Sequence, residues 1–282
     1  MKKVLVTGAT GFIGKYVVAE LLRNNCAVIA TAMDAPQKAC ELWKNEVEYK
    51  QFNLDQFSQT VNYHQYFNQP EAIIHLAWEG LPNYKSLFHY EINLPRHYAF
   101  IKNMVSNGLK DVTVAGTCFE YGMQEGCLNE NMPSMPANAY ALAKDTLRKY
   151  LEQLQTVLPF SFKWARLFYM YGEGQNPKSL FSQLDKALEC GEQTFNMSGG
   201  EQVRDYLPVT KVAEYIVKIA LQEKVTGIIN CCSGIPVTVK KLVQNYLKEK
   251  NKNILLNLGF YLYPDYEPMK FWGDNTKLKM IL

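Results

Sequence analysis

VLVTGATGFIGKYVVAELLRNN, residues 4–25, decides how the rest of the chain is read. Val4, Leu5 and Val6 form an apolar run of strand type. Gly8, Gly11 and Gly14 punctuate the segment after it, and Val17, Val18, Leu21 and Leu22 then recur along one helix face. A strand that turns through glycines directly into a helix is the arrangement that holds a dinucleotide. The glycines allow a tight turn and close backbone approach, while the helix N-terminus turns free N–H groups and partial positive charge toward a pyrophosphate.

Beyond this stretch, apolar runs alternate with helix-period segments through the first two-thirds of the chain. Strands are expected at 27–33, 47–54, 72–77, 112–115 and 160–168, with long helices at 84–107 and 138–157. The run Ala-Ile-Ile-His-Leu-Ala at 72–77 is nearly continuous in apolar residues, as expected of a strand buried on both faces. Such alternation predicts a doubly wound α/β fold of Rossmann type, a parallel sheet with helices on both faces. The rhythm changes after Tyr171. Residues 1–168 are expected to form the dinucleotide-binding domain, and 169–282 mainly a small substrate-binding lobe, with segments near 204–232 returning to the first unit.

Composition narrows the class of function. The chain has 282 residues, 48% of them hydrophobic, enough for a substantial core, and a net charge of +3. That balance gives no electrostatic footprint for nucleic acid. No stretch has the roughly 18 apolar residues of a membrane span. The seven cysteines include no C-x-x-C, and the opening apolar run breaks at Thr7-Gly8, too soon for a secretory leader. Reduced thiols in a cytoplasm are the expectation. The four histidines show no metal-ligand spacing, so no metal is expected.

Tyr140 and Lys144 stand four apart at the start of a predicted helix, so a phenol and an ammonium share one face. A neighbouring cation favours the phenolate and eases proton transfer near neutrality. Thr117 lies just past the fifth strand, in AGTCFEYG, where its hydroxyl can bond a carbonyl oxygen. A nucleotide loop, a hydroxyl at the end of strand five and a Tyr-x-x-x-Lys downstream together describe a hydride-transfer site.

With these residues in view, the chain resembles the extended short-chain dehydrogenase/reductase superfamily, in its group of NAD(P)-dependent nucleoside-diphosphate-sugar epimerases, dehydratases and reductases. The resemblance runs over nearly the whole length. TGATGFIG at 7–14 matches the fingerprint, His75-Leu76-Ala77 the strand-four motif, and Asn93 the asparagine of the next helix. Thr117, four before Tyr121-Gly122, matches the catalytic Ser/Thr, and Tyr140 with Lys144 the catalytic pair. Arg166–Gly172, Arg204-Asp205-Tyr206 and the turn from Asn230 to Gly234 match later motifs. The resemblance implies catalysis by Thr117, Tyr140 and Lys144. It implies cofactor contacts from Thr7, Gly8, Thr10, Gly11, Phe12, Ile13, Gly14, Asn53, Leu54, Leu76, Ala77, Trp78, Asn93, Tyr140 and Lys144. It implies substrate contacts from Trp78, Thr117, Cys118, Phe119, Tyr140, Tyr169 and Arg204, the arginine offering its fork to a diphosphate. It also implies a homodimer built on the helices after strands four and five, for which 98–105 and 147–154 are apolar enough.

Several positions depart from the group's pattern. The acid that binds a ribose 2′-hydroxyl in NAD users is expected at the end of strand two. The count from Gly8 reaches Ala32 and Met33 there, with Asp34 displaced by two. Loss of that acid favours NADP(H) over NAD(H), with dual use open. Asn53 stands where relatives have aspartate beside the adenine. Trp78 and Tyr169 put large rings near the substrate position, either as a stacking wall or as core filling. Cys118-Phe119 replace the Asp-Glu of dehydratases, and Glu120 comes one position late, which argues against dehydration. The motif set, including FWGD at 271–274, looks most like bacterial reductases of dTDP-4-dehydro-6-deoxyhexoses, which would make the substrate a dTDP-linked sugar. A nucleotide-sugar 4-epimerase and a non-catalytic nucleotide-binding protein on the same fold stand as alternatives.

Overall fold

The computed structural model describes residues 1–44 and 46–282. The chain runs through β1 (Lys3–Thr7), α1 (Phe12–Arg23), β2 (Ala27–Ala32), α2 (Pro36–Trp43), β3 (Glu48–Gln51), α3 (Tyr63–Tyr66), β4 (Ala72–His75), α4 (Leu94–Ser106), β5 (Asp111–Thr117), β6 (Gly126–Leu128), α5 (Ala139–Val157) and β7 (Ser161–Leu167). It continues through β8 (Tyr169–Tyr171), α6 (Leu180–Glu189), β9 (Thr194–Asn196), β10 (Val203–Arg204), β11 (Tyr206–Pro208), α7 (Val209–Leu221), β12 (Gly227–Cys231), β13 (Val237–Thr238), α8 (Val239–Glu249), β14 (Leu255–Asn257), β15 (Phe271–Gly273) and α9 (Thr276–Lys279).

Seven strands form one parallel sheet in the order β12-β7-β5-β4-β1-β2-β3. The opening strand is its centre: Leu5 stands opposite Ile29 on one side and Ile73 on the other. Successive side chains of β1 face opposite ways, so one strand feeds two cores. Val4 and Val6 enter the core under α1 and α7, with Val17, Leu21, Val212 and Ile216. Leu5 enters the core under α4 and α5, with Phe100, Met104, Leu147 and Leu151. The unbroken apolar character of β1 and β4 thus reflects burial on both faces. Strand order reverses between β1 and β4, and an open sheet has a crevice for ligands at that point.

After Tyr171 the chain pairs in short two-stranded ribbons, β8 with β11, β9 with β14, β10 with β13 and β6 with β15. Phe181, Leu184, Phe195, Val243 and Leu247 make a separate small core there. The segment 209–231 instead rejoins the main sheet, α7 lying on α1 and β12 extending the edge beside β7.

The single helix expected over 84–107 is not found. Gly80, with φ of +84°, and Pro82 hold the chain in a loop, a π-helical turn spans His89–Asn93, and α4 begins at Leu94, with a proline in its first turn. The apolar residues of 98–105 and 147–154 serve the chain's own core: Phe100, Ile101, Met104, Leu147, Leu151 and Leu154 are buried. Tyr150 is the large apolar side chain that these segments leave exposed among the described residues. All seven cysteines are free. Among the described residues, no helix is long and apolar enough to cross a membrane.

Candidate active site

A cavity of about 560 Å³ opens over the carboxyl ends of β1, β2, β4 and β5. Ligand pockets commonly have this size. Its first wall is the turn Thr7–Gly14. Gly8 has φ of +66°, and a Cβ there would lie 2.8 Å from the Ala77 nitrogen. A Cβ on Gly14 would meet the Gly8 carbonyl at 2.2 Å. The motif therefore needs hydrogen at both positions to bring α1 against β1 and β4. Gly11 precedes α1 with no side chain capping the first turn, so the helix presents its free N–H groups to the cavity. The donors and the turn suit the phosphates of a dinucleotide.

Of the residues expected to touch the cofactor, Thr7, Gly8, Thr10, Gly11, Phe12, Ile13, Gly14, Leu54, Leu76, Ala77, Trp78 and Asn93 all line this cavity. Asn53 does not. Its side-chain oxygen accepts from the Asp55 N–H at 2.9 Å and so caps a short turn, leaving Leu54 and Asp55 to face inward. Asp34 corrects the reading made from residue counting. The chain bends after β2 so that Asp34 reaches the cavity rim, where it accepts from the Thr10 hydroxyl and pairs with Lys38 at 2.9 Å. The Lys38 bond, then the Thr10 bond, hold its carboxyl below the usual carboxylate range. An ionised acid thus stands beside the glycine turn, where a 2′-phosphate would be repelled.

At the other end, Thr117, Cys118, Phe119, Tyr140 and Tyr169 line the cavity together. Asn138 caps α5 by accepting from the Ala141 N–H at 2.9 Å, and this fixes where the helix begins. Tyr140 comes two residues later, its N–H donating to the Tyr84 carbonyl at 3.0 Å. Lys144 lies one turn on but does not line the cavity. Its Nζ donates to the Ala115 carbonyl at 2.9 Å and sits 4.0 Å from the centroid of the Trp78 ring, which covers it. Burial lowers the Lys144 pKa to about 7, with Glu120 pulling the other way. Burial raises the Tyr140 phenol, the Tyr84 and Glu120 charges add to this, and the Thr117 hydroxyl opposes it. Burial therefore sets the net direction for the phenol, while the Lys144 Nζ is engaged by the Ala115 carbonyl and the Trp78 face.

Behind Thr117 lies a sealed network. The Glu120 carboxylate accepts from the Thr117 N–H at 2.8 Å, from Trp164 Nε1 at 3.0 Å and from Arg166 Nε at 2.8 Å. Glu120 is fully buried and faces away from the cavity, so it holds the turn that presents Thr117 and offers no acid to a ligand. Cys118 is buried, and burial pushes its thiol up.

Arg204 does not line the cavity either. Its Nη2 donates to Glu267 at 2.9 Å, its Nη1 to the carbonyls of Val203 and Met269, and its guanidinium lies 4.5 Å from the Phe271 ring. It stands behind Tyr169, whose hydroxyl is buried with no hydrogen-bond partner among the described residues. Sequence reasoning also missed Tyr84, Arg96 and His97, all on the cavity wall. Tyr84 comes from the loop after β4 and packs against Tyr140, Phe119 and Tyr266. Its neighbours in sequence, Gly80, Pro82 and Asn83, signal a loop but not where that loop folds.

Comparison with known proteins agrees with this geometry. The model of the family described as NAD dependent epimerase/dehydratase matches residues 4–232. A dTDP-6-deoxy-L-talose 4-dehydrogenase (NAD(+)) of Aggregatibacter actinomycetemcomitans is 31% identical over 272 residues, spanning 96% of this chain and 98% of that one. A dTDP-4-dehydro-6-deoxyglucose reductase of Escherichia coli is 25% identical, over 90% of this chain and 83% of that one. The fold superposes on a UDP-glucose-4-epimerase from Stenotrophomonas maltophila with bound NAD and formylated UDP-arabinopyranose, at a TM-score of 0.87 and 18% identity over 100% of this chain and 92% of that one. The matched span carries the glycine turn, Thr117, Tyr140 and Lys144, and with them this chain belongs to the NAD dependent epimerase/dehydratase family of enzymes.

Proposed function

We propose that this enzyme interconverts the 4-hydroxyl and 4-keto forms of a dTDP-linked 6-deoxyhexose, using NAD(H). One observation carries the reading: a phenol and a threonine hydroxyl lie at the floor of a cavity whose far end is a glycine turn opening a helix. The glycine turn Thr7–Gly14 would hold a dinucleotide whose nicotinamide would supply the hydride acceptor or donor for the sugar carbon. The protein's part is to move the matching proton. Tyr140 exchanges it with the oxygen on that carbon, and Thr117 bonds the same oxygen and fixes its direction. Lys144 holds its positive charge one helical turn behind the phenol, under Trp78. General acid–base assistance of this kind typically contributes about 10²–10⁴-fold.

Asp34 favours NAD(H): an acid at the end of β2 accepts from a ribose 2′-hydroxyl and repels a 2′-phosphate. The NADP(H) preference expected from the sequence has lost its basis, because it required Asp34 to be out of reach. Keto reduction, expected from the motifs, and the dehydrogenation named for the 31% identical relative are one reaction in opposite directions. The aromatic end of the cavity, with Phe119, Tyr169, Tyr84 and Trp78, supplies apolar faces for a deoxysugar. Absorbance at 340 nm tests the proposal. With dTDP-4-keto-6-deoxyglucose or its C3,C5 epimer and NADH, the signal falls stoichiometrically with substrate. Copurifying NAD with no net consumption of added NADH would instead identify an epimerase.

A further inference from the structure

Two histidines under the cavity form a directed line of hydrogen bonds, and the proton transfer at Tyr140 and Thr117 gives them no task. His75 and His97 are buried, at 0% and 2% exposure. The backbone N–H of Leu76 is shared between the Thr7 carbonyl and hydroxyl oxygens, each at 3.2 Å, that of Ala77 donates to the hydroxyl oxygen at 3.3 Å, and the hydroxyl lies 2.8 Å from His75 Nδ1. A hydroxyl has two acceptor positions and one hydrogen. With Ala77 and a share of the Leu76 N–H on its lone pairs, the Thr7 hydroxyl is assigned as the donor to His75 Nδ1, which leaves that nitrogen bare. In a neutral imidazole the hydrogen is then on Nε2. His75 Nε2 stands 2.7 Å from His97 Nδ1 and donates to it. By the same rule His97 carries its hydrogen on Nε2. Burial keeps both rings neutral: it brings His75 down to about 3 and His97 well below its ordinary range, with Lys144 and Arg96 adding to the effect.

The line therefore ends in one N–H of fixed position. His97 lines the cavity, and its Nε2 has no protein partner among the described residues. Its ring is held by stacking on Trp78 at 4.6 Å, so it cannot turn to find an acceptor elsewhere. The surrounding wall is largely apolar, with Trp78, Phe100, Phe52 and Leu54. A donor left bare against a ligand there is unfavourable.

We propose that His97 Nε2–H is a locked hydrogen-bond donor to an oxygen of the ribose–phosphate backbone of the bound dinucleotide, with Thr7 and His75 setting its tautomer. The proposal rests on the reading of the cavity as a dinucleotide site. It adds a specific contact from α4, outside the glycine turn, and gives the first residue of the glycine motif a second task across the sheet.

Long-range ¹H–¹⁵N spectra of the ¹⁵N-histidine-labelled full-length enzyme at pH 7 test it, with the His97 signals assigned from the His97→Leu variant. The free enzyme shows the neutral Nε2–H pattern for both His75 and His97. Adding NAD⁺ shifts the His97 Nε2 proton downfield, and parallel additions of AMP and ADP-ribose tell which oxygen is bonded. His97→Leu weakens NAD⁺ by about tenfold in calorimetry, with the folded spectrum retained. A His97 proton on Nδ1 overturns the locked line. NAD⁺ heat in calorimetry with an unmoved His97 signal overturns the contact while leaving the cavity's reading intact. No NAD⁺ heat at all defeats that reading, and the proposal with it.

Discussion

Lys144 gives the sharpest quantitative test, because the structure makes it a catalytic candidate that destabilises its own fold. Its ammonium is buried under Trp78, and burial brings its pKa from 10.5 to about 7. In the unfolded chain the same lysine titrates near its ordinary value. Between about pH 7 and 10.5 the unfolded state therefore binds the extra proton, and stability rises with pH. Below about pH 7 both states are charged and the full penalty is present. Above about pH 10.5 both are neutral and it is gone. At roughly 1.4 kcal/mol per unit, the gap between 10.5 and about 7 corresponds to about 5 kcal/mol. Methionine has a similar length and no charge, but it forfeits the bond to Ala115 and the contact with the Trp78 face. Each of these is worth about 1 kcal/mol. The expected net gain for Lys144→Met is about 3 kcal/mol at pH 6, shrinking toward zero or below by pH 10. Urea denaturation of the cofactor-free protein and the variant, at pH 6, 8 and 10, measures it. If the variant is less stable than the parent at pH 6, or equally shifted at all three pH values, the argument that burial of this cation costs stability is wrong.

Four further outcomes are expected from the same geometry. Tyr140→Phe lowers kcat by about 10²–10⁴-fold in the 340 nm assay, while calorimetric NAD⁺ affinity stays within a factor of about two. Asp34→Asn removes the charge at the cavity rim and lowers the ratio of kcat/KM for NADH over NADPH by about tenfold or more, which steady-state kinetics with each cofactor will read. Glu267→Gln frees the Arg204 guanidinium from its carboxylate partner and tightens dTDP several-fold in calorimetry; unchanged or weaker binding would make Arg204 a structural residue alone. Glu120→Gln leaves the Arg166 charge buried without its partner and costs about 3–5 kcal/mol in urea unfolding, with partial recovery in the double variant that also carries Arg166→Met.

The sequence was legible wherever one local rule decided the structure. Val4–Val6 read as a strand and Gly8, Gly11 and Gly14 as a tight turn into a helix from residue types alone, and the structure shows that Gly8 and Gly14 have no room for a Cβ. The four-residue spacing alone placed Tyr140 and Lys144 on a common face of the helix expected over 138–157, which the structure shows to be capped by Asn138. What escaped depended on how distant segments meet. The residue count from Gly8 could not show that the chain bends after β2 and carries Asp34 back to the rim. Apolar residues in 98–105 and 147–154 read as a subunit contact, and only packing shows that Phe100, Met104 and Leu151 point into the chain's own core. Arg204 carried the chemistry of an anion grip, but its partner Glu267 lies 63 residues away in an irregular tail. Glu120, read only against the dehydratase pattern, proved to be the buried acceptor that ties Thr117 to Trp164 and Arg166.

The central claim is that a hydride passes between a nicotinamide ring and C4 of a nucleotide-linked deoxysugar beside Tyr140. The most direct measurement traces isotope from NADH deuterated at nicotinamide C4, in both the 4R and 4S forms, into the product sugar by mass spectrometry and NMR. One of the two forms should deliver a single deuterium to sugar C4, with a product one mass unit heavier, and Tyr140→Phe should suppress the transfer. Product formed without deuterium at C4 from either form, or no product from any dTDP-4-keto-6-deoxyhexose, would contradict the account.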